Sequence, residues 1–594
     1  MALKFVIAEP KAKVLFSPTE FFDTLKDMFR SSRKRIVISC LYVGIGDLEK
    51  ELITSIKNNK NIKTLRVDIL LDKQRATRPE GKLKESSVSV LFDLFDYANN
   101  INLSLFHNPL LGAILYNILP YRANEAIGVM HMKVFISDDR VILSGANLSD
   151  SYLRNRQDRY IMIENKLLAD SVHKIVNGIQ KMSFTVDTDS SIIWVSDLIN
   201  PLIDAHTFRE QYYRRIRFML NQIEKDILKS NCHTIDIETP PQHTSDQTEE
   251  RENFFSPLMV KNKNILTVEL ALQSGFSSPP IYDESIMLED MLKKVKKFDQ
   301  SLIISSGYLN FPENLLKLFR SIYDNLSFKK GKLRLITASP SANSFFKSKG
   351  ITYYVPLGYT VIAHMCIEYI TKNIINVFKN LNITDPLKKK DKAFTNIYME
   401  YHKPTWTFHS KGMWLIDDSL GGRLGLNYGD NGEDHLASCT ATCGKLQSDK
   451  SYECSEKKNI NSQNGKTLGV NNSQNCLTRS CNFEKKNKMC ANFLKREEIN
   501  SDKTNEHTSL LTKNSDDLPW GTVIGSSNYG YRATYRDLEM SFVLKTNDEN
   551  LKRQFQKELN IIYESSNFVH MNELNLRYPR WLRLVVRYIV RWLL

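Results

Sequence analysis

Along this chain, short apolar runs rich in β-branched residues alternate with stretches whose apolar residues recur at helical spacing. Arg35-Ile-Val-Ile-Ser-Cys-Leu-Tyr42 is a β-type run that closes on an aromatic ring, and Ser301-Leu-Ile-Ile-Ser-Ser-Gly-Tyr308 repeats its shape. Each is followed by a helical stretch and a second β-type run, Leu65-Arg-Val-Asp-Ile-Leu-Leu71 and Lys332-Leu-Arg-Leu-Ile-Thr-Ala338. A His-x-Lys triplet then opens a further apolar run in each half, His131-Met-Lys133 and His409-Ser-Lys411. Strands alternating with helices predict α/β layering with a largely buried sheet, and the duplicated order of parts predicts two such units.

Polar segments interrupt the pattern twice. From about Ser230 to Asn253 the chain is rich in Thr, Gln, Glu and Pro, the composition of a solvated linker. Between about Asn427 and Leu518 it turns to Asn, Ser, Lys and Asp. Such a stretch buries too little apolar area to offset the entropy of ordering, so it reads as a disordered insert. The expected layout is a first unit over 1–229, a linker over 230–256 and a second unit over 257–426 and 519–570. The insert over 427–518 splits the second unit, and a terminal segment covers 571–594. At 594 residues, two cores are expected rather than one.

Composition narrows the partners without choosing among them. The balance of 81 Lys and Arg against 67 Asp and Glu gives +14, which favours nucleic acid, a phospholipid surface or a phosphorylated substrate. Nine cysteines in so long a chain do not make a disulfide scaffold, and a reducing compartment is the simplest reading. Six of them fall between Cys439 and Cys490 without a C-x-x-C pair, so free thiols are expected there rather than a zinc site. No run of about 18 uncharged apolar residues is present, which argues against a membrane-spanning helix. The first residues have the layout of neither a secretory signal nor a mitochondrial presequence.

The chemistry-bearing residues are duplicated as well. The first set reads His131, Lys133, Asp138, Ser144-Gly145-Ala-Asn147 and Asp158. The second reads His409, Lys411 and, beyond the insert, Gly525-Ser526-Ser-Asn528 and Glu539. Asn147 to Asp158 and Asn528 to Glu539 both span 11 positions. A lone His on a strand is usually structural and a lone Gly-Ser-x-Asn usually a turn, but a doubled set is not explained that way. Residues i and i+2 of a strand face one side, so each His and Lys is expected to project into one cleft. Imidazole can attack phosphorus and later leave. An acid on its other nitrogen would fix the tautomer and stabilise the developing positive charge. Two Lys ammoniums and two Asn amides, with Ser526, would surround the non-bridging phosphoryl oxygens. No metal ion or cofactor is called for.

The pattern H-x-K-x4-D with its later G-S-x-N resembles the phospholipase D superfamily, whose members use two such motifs at one site between two similar domains. The fold this implies is a pair of α/β/α domains packed as a pseudo-dimer with one shared active site. Within that superfamily the chain resembles the eukaryotic phosphatidylglycerophosphate synthases. The likeness lies in Val141-Ile-Leu-Ser-Gly-Ala-Asn-Leu-Ser-Asp-Ser-Tyr152 with Asn155-Arg-Gln-Asp-Arg-Tyr160, and in Pro404-Thr-Trp-Thr-Phe-His409-Ser-Lys-Gly412. It continues in Gly530-Tyr-Arg532 with Arg536-Asp-Leu-Glu539, and more weakly from Ser17 to about Ser565 outside linker and insert. Two positions depart from the superfamily pattern: Ile416 replaces the expected Asp, with Asp417 next to it, and Ser144-Gly145 inverts the Gly-Ser pair.

The resemblance implies attack by a His on the β-phosphorus of CDP-diacylglycerol, releasing CMP. The primary hydroxyl of glycerol 3-phosphate then takes the phosphatidyl group. It implies His131 as nucleophile and His409 as acid/base partner, an assignment that the symmetry of the sequence leaves open. It also implies a mitochondrial protein, peripheral on the matrix side of the inner membrane, with no nucleic-acid partner. Arg75, Arg78, Arg156 and Arg532 are candidates to capture the acceptor's phosphate, against the commoner fate of an Arg as a surface ion-pair partner. Near the C-terminus Arg580, Arg583, Arg587 and Arg591 recur at intervals of 3, 4 and 4, with Trp581 and Trp592 among the apolar residues. A basic amphipathic helix carrying Trp reads as an interfacial anchor on an anionic membrane, with a core-packed terminal helix as the alternative. The rival functions are a hydrolase or nuclease of the same fold, a cardiolipin-forming enzyme, and a scaffold with a dead site. Retention of both His, both Lys, both Asn and both acids weakens the last.

Overall fold

The computed structural model describes residues 1–234, 263–297, 301–326, 333–346, 348, 354–380, 397–416 and 518–588. The insert expected over 427–518, apart from Leu518, lies outside these residues, together with its six cysteines and most of the linker.

Two mixed sheets are built in the same order. In the first, Asn100–Phe106, Arg66–Asp72 and Arg35–Ser39 run parallel. Val134–Ser137, Arg140–Ser144, Tyr160–Glu164 and Lys11–Leu15 continue it antiparallel. In the second, Tyr398–Tyr401, Leu333–Ala338 and Ser301–Ser305 run parallel. Gly412–Ile416, Pro519–Gly525, Leu538–Thr546 and Ile265–Ser274 follow antiparallel. The repeat legible in the sequence is therefore a repeat of topology. The central strands are buried on both faces, as continuous apolar runs in α/β layers require: Ile36 and Ile38 point one way, Val37 the other, and none is exposed.

Local sequence explains the helices that cover the sheets. Pro18–Ser31 starts at Ser17, whose hydroxyl accepts the Glu20 N–H at 3.0 Å, while the Glu20 carboxylate returns to the Phe16 N–H at 2.8 Å. Pro18 sits in the first turn, where no N–H is needed. Phe21, Phe22, Leu25, Met28 and Phe29 recur at helical spacing and are buried against the first sheet's core.

Three boundaries differ from the expected layout. Leu3–Ala8 pairs antiparallel with Ile265–Ser274, Leu3 opposite Leu270 and Ala8 opposite Ile265, so the first strand of the chain closes the edge of the second sheet. Its alternation fits that place, with Leu3, Phe5 and Ile7 buried and the residues between them more open. The helix Ala205–Thr234 runs into the stretch expected to be linker, because no Gly or Pro stands between Lys229 and Thr234 to stop it. The terminal segment is two helices, Met571–Leu576 and Arg580–Tyr588, broken at Pro579. They are docked rather than free: Leu574, Arg577, Tyr578, Leu582 and Val586 are buried, and Arg577 donates to Glu400 at 2.6 Å. Arg583 pairs with Glu368 of the helix Val355–Asn380. Among the described residues no helix is long and apolar enough to cross a membrane.

Candidate active site

Each motif His enters on an extended segment paired with the opposite half. The Leu538 N–H donates to the Val129 carbonyl at 2.9 Å and the His131 N–H to the Leu538 carbonyl at 2.8 Å. In the mirror arrangement, the Thr407 N–H donates to the Asn155 carbonyl at 3.0 Å and the His409 N–H to the Gln157 carbonyl at 2.9 Å. The triplets therefore precede the strands Val134–Ser137 and Gly412–Ile416 instead of lying inside them. Each Lys turns back on its own triplet, Lys133 Nζ to the His131 carbonyl at 2.6 Å and Lys411 Nζ to the His409 carbonyl at 3.0 Å.

This pairing carries each acid across to the other half's histidine. His131 Nδ1 lies 2.8 Å from Glu539 Oε1, and His409 Nδ1 lies 2.6 Å from Asp158 Oδ2. With Nδ1–H donated to carboxylate, the lone pair of each ring sits on Nε2. The acids are braced differently. Ser526 donates its hydroxyl to the second oxygen of Glu539, while that of Asp158 accepts the Arg159 N–H at 2.9 Å. Gly145 occupies the position matching Ser526, and a Cβ there would stand 2.9 Å from Asp158 Oδ1. The inverted Ser144-Gly145 is thus a packing consequence: the shorter acid meets Gly, the longer one Ser. Ser526 serves the acid and does not face the phosphoryl position expected of it.

Burial, followed by the neighbouring Lys133, holds His131 well below the usual imidazole range; burial and Lys411 do the same to His409. Both rings are neutral at rest. Burial also pushes Asp158 up to about 6 and Glu539 up to about 7, and lowers Lys133 to about 7 and Lys411 to about 8. The two histidines differ at Nε2. That of His409 is bonded to the Tyr152 hydroxyl at 3.0 Å, and Lys411 Nζ lies 2.7 and 2.9 Å from its two nitrogens. His131 Nε2 has no hydrogen-bond partner among the described residues.

The remaining expected residues divide. Asn147 is buried and accepts the Leu41 N–H at 3.2 Å, and Asn528 holds a buried Oδ1 that has no partner among the described residues. Asp138 is not at the site. It stands at the far end of Val134–Ser137 with φ +53°, and its carboxylate takes the N–H groups of Arg33, Lys34 and Arg35 at 2.9, 2.7 and 3.1 Å. Seven positions beyond the His, the strand has carried the chain away from the cleft, which also explains why Ile416 is tolerated in the second half. Arg75 stacks on Tyr42 at 3.6 Å and pairs with Glu80 at 2.8 Å; Arg78 pairs with Glu80 at 2.7 Å and with Glu125. Arg532 pairs with Asp537 at 3.1 Å, and its charge helps to lower His131. Arg156 lies over the Tyr152 ring at 4.2 Å beside His409, its Nε donating to Thr407 Oγ1 at 3.0 Å. Arg580, Trp581 and Arg587 are exposed, whereas Arg591 and Trp592 lie outside the described residues.

One buried residue has no counterpart among the expected site residues. Arg159 donates to both oxygens of Glu558 at 2.9 and 2.7 Å, to the Val523 carbonyl at 2.6 Å and to Thr522 Oγ1 at 2.7 Å, with its face on Trp414 at 4.0 Å. It clips the first half to the second next to Asp158. In the sequence it is marked by that adjacency and by its place in the segment Asn155–Tyr160 that carries the likeness.

A site shared between two like-ordered sheets makes this a phospholipase D-like protein, and residues 25–180 match the family model described as cardiolipin synthase, PLD-like domain. The fold is similar to that of phosphatidylserine synthase from Haemophilus influenzae, with a TM-score of 0.53 at 16% identity over 99% of this chain and 95% of that one. Within the class, the chain is similar to eukaryotic proteins named as CDP-diacylglycerol–glycerol-3-phosphate 3-phosphatidyltransferases. It is 31% identical over 403 residues to a Dictyostelium discoideum protein named as a probable enzyme of that kind, covering 67% of this chain and 62% of the relative. A mitochondrial protein of that name from Gallus gallus is 28% identical over 443 residues, covering 69% of this chain and 70% of the relative.

Proposed function

We propose that the protein transfers a phosphatidyl group from CDP-diacylglycerol to glycerol 3-phosphate, giving phosphatidylglycerophosphate and CMP, through a phosphatidyl-histidine on His131. The observation that carries this reading is the difference at Nε2: His131 presents an open, neutral nitrogen, while His409 is occupied by Tyr152. In the first step His131 Nε2 attacks the β-phosphorus, the bond to CMP breaks, and CMP leaves with the electron pair. A phosphate whose second pKa is about 6 needs little protonation to depart. Glu539 stabilises the imidazolium that forms. In the second step the primary hydroxyl of glycerol 3-phosphate attacks phosphorus, the P–N bond breaks, and His409 Nε2 takes the hydroxyl proton. Lys133, Lys411, Asn147 and Asn528 surround the phosphoryl oxygens. The units expected over 1–229 and over 257–426 with 519–570 act as one catalytic body.

A membrane surface suits such a substrate. The helix Arg580–Tyr588 buries Leu582 and Val586 and turns outward a face of Arg580, Trp581, Leu584, Arg587 and Tyr588, with Leu584 61% and Tyr588 67% exposed. Positive charge beside exposed apolar rings matches anionic lipid. The short helix Ala113–Ile118, upstream of His131, exposes Ile114 and Ile118 in the same manner. The location proposed is the matrix side of the mitochondrial inner membrane, as a peripheral protein, and no nucleic-acid partner is included.

The test is purified protein in detergent with CDP-diacylglycerol and labelled glycerol 3-phosphate. Label entering lipid, dependent on both substrates and lost in His131→Ala, supports the transferase. CMP release with phosphatidic acid and no labelled lipid would replace it with a hydrolase.

A further inference from the structure

We infer that Arg156, with Thr407 and the tyrosine rings around it, is the receptor for the phosphate of the acceptor alcohol, placed one strand step from His409. The inference rests on the transfer reaction proposed above and names the site that selects its second substrate.

Three of the four candidate arginines are already neutralised. Arg75 and Arg78 share Glu80, Arg78 also holds Glu125, and Arg532 holds Asp537. Among the described residues Arg156 has no carboxylate partner. Its Nε is fixed by Thr407 Oγ1 at 3.0 Å and its plane rests on Tyr152 at 4.2 Å. The phenols of Tyr152, Tyr42 and Tyr308 surround it, and the nearby charge it acts on is Asp158, two residues on. A guanidinium packed among phenol rings, with one edge anchored and no carboxylate in ion-pair contact among the described residues, is pre-organised for an anion brought by a ligand.

Register sets the distance. Arg156 is opposite Thr407 in the parallel ladder, two positions before Asp158 and His409 respectively. Two residues of extended chain span roughly 6–7 Å. A phosphate at Arg156 thus leaves a three-carbon backbone to reach back to His409, with its primary hydroxyl at Nε2 and in line with a phosphatidyl group on His131. Glycerol 3-phosphate has this reach, whereas glycerol and water carry nothing for Arg156 to hold. Positioning by a remote phosphate is also what lets an alcohol outcompete water for the intermediate.

The test compares acceptors within each variant. The ratio of kcat/KM for glycerol 3-phosphate to that for glycerol is measured with CDP-diacylglycerol, alongside the partition of product between labelled lipid and phosphatidic acid. Arg156→Gln is expected to lower that ratio about 10- to 100-fold, through KM for glycerol 3-phosphate, and to shift the partition toward phosphatidic acid. Arg156→Lys, which keeps the charge but not the fork, is expected to fall between, and guards against a misfolded Gln variant. A ratio within threefold of the parent in both variants overturns the assignment while leaving the transferase intact. A parent protein that transfers to neither acceptor overturns the reaction itself.

Discussion

His131 and Glu539 are 408 positions apart in the chain, yet their side chains meet at 2.8 Å. His409 and Asp158 meet at 2.6 Å from the opposite direction, so neither half supplies a histidine together with its own acid. Glu539→Gln should therefore impair the chemistry of His131, and Asp158→Asn that of His409, each by roughly 10²- to 10⁴-fold. Rapid-quench measurement separates the two: the first slows the burst of CMP, the second leaves the burst and slows lipid formation. Equal loss of the burst in both would contradict the crossed assignment.

The open Nε2 of His131 leads to a trapping experiment. His409→Ala incubated with CDP-diacylglycerol labelled in the phosphatidyl group should retain acid-labile label on the protein, recovered on the peptide containing His131. His131→Ala should retain none. Label on a peptide containing His409 in the His131 variant would reverse the roles.

The buried acid fixes the shape of the pH profile. His131, held well below the usual imidazole range, stays neutral throughout, whereas Glu539, raised to about 7, must be ionised to stabilise the imidazolium, so kcat/KM should fall as pH drops through about 7. After burial, Lys133 is the largest influence on Glu539, and it holds the acid down. Lys133→Met should thus move the acid limb of the residual activity further upward. An unmoved limb would mean that Lys133 acts on the phosphate alone.

The clip between halves can be tested by denaturation. Arg159→Met leaves Glu558 buried without its cation and should cost about 3–5 kcal/mol. At Gly412 an added Cβ would meet Arg159 Nη1 at 1.7 Å and the Val523 carbonyl at 2.7 Å, so Gly412→Ala should cost about 1–3 kcal/mol. Chemical unfolding curves report both, and a neutral Gly412→Ala would show that Arg159 has room to move.

The insert offers a deletion. Ile416 and Pro519, on either side of it, are direct partners in the ladder, and both strands have their catalytic ends, Lys411 and Ser526, at the opposite end. A short turn can therefore join them. Replacing 420–515 with a turn of a few residues should leave transfer within about threefold of the full chain, since loop closure changes only slowly with length. A hundredfold loss would assign the insert a part in catalysis.

Much of this architecture was legible because it repeats. Two His-x-Lys triplets, two Asn and two acids at equal spacing, each following the same order of strands, left few alternatives. What the sequence could not show is anything decided across the interface. The exchange of acids depends on Leu538 pairing with Val129–His131, and nothing local in Glu539 names its histidine. Asp138 belongs to the motif but not to the cleft, because the length of a strand separates the two. A hydroxyl beside an Asn suits a phosphate, and only packing shows that Ser526 holds Glu539 instead. The terminal helices were read from their arginines, while the residues that dock them, Leu582 and Val586, looked like part of the same apolar scatter.

The pairing of Leu3–Ala8 with Ile265–Ser274 has a consequence for biosynthesis. Leu3–Ala8 leaves the ribosome well before Ile265–Ser274 and must wait for its partner to be made. Meanwhile its alternating Leu3, Phe5 and Ile7 are available to any other unpaired edge. Deletion of Met1–Glu9 would instead leave Ile265–Leu270 as a naked border of the second sheet. The cost of such a truncation should appear first as clumping and poor recovery of protein, well before any change in the chemistry of the molecules that do fold.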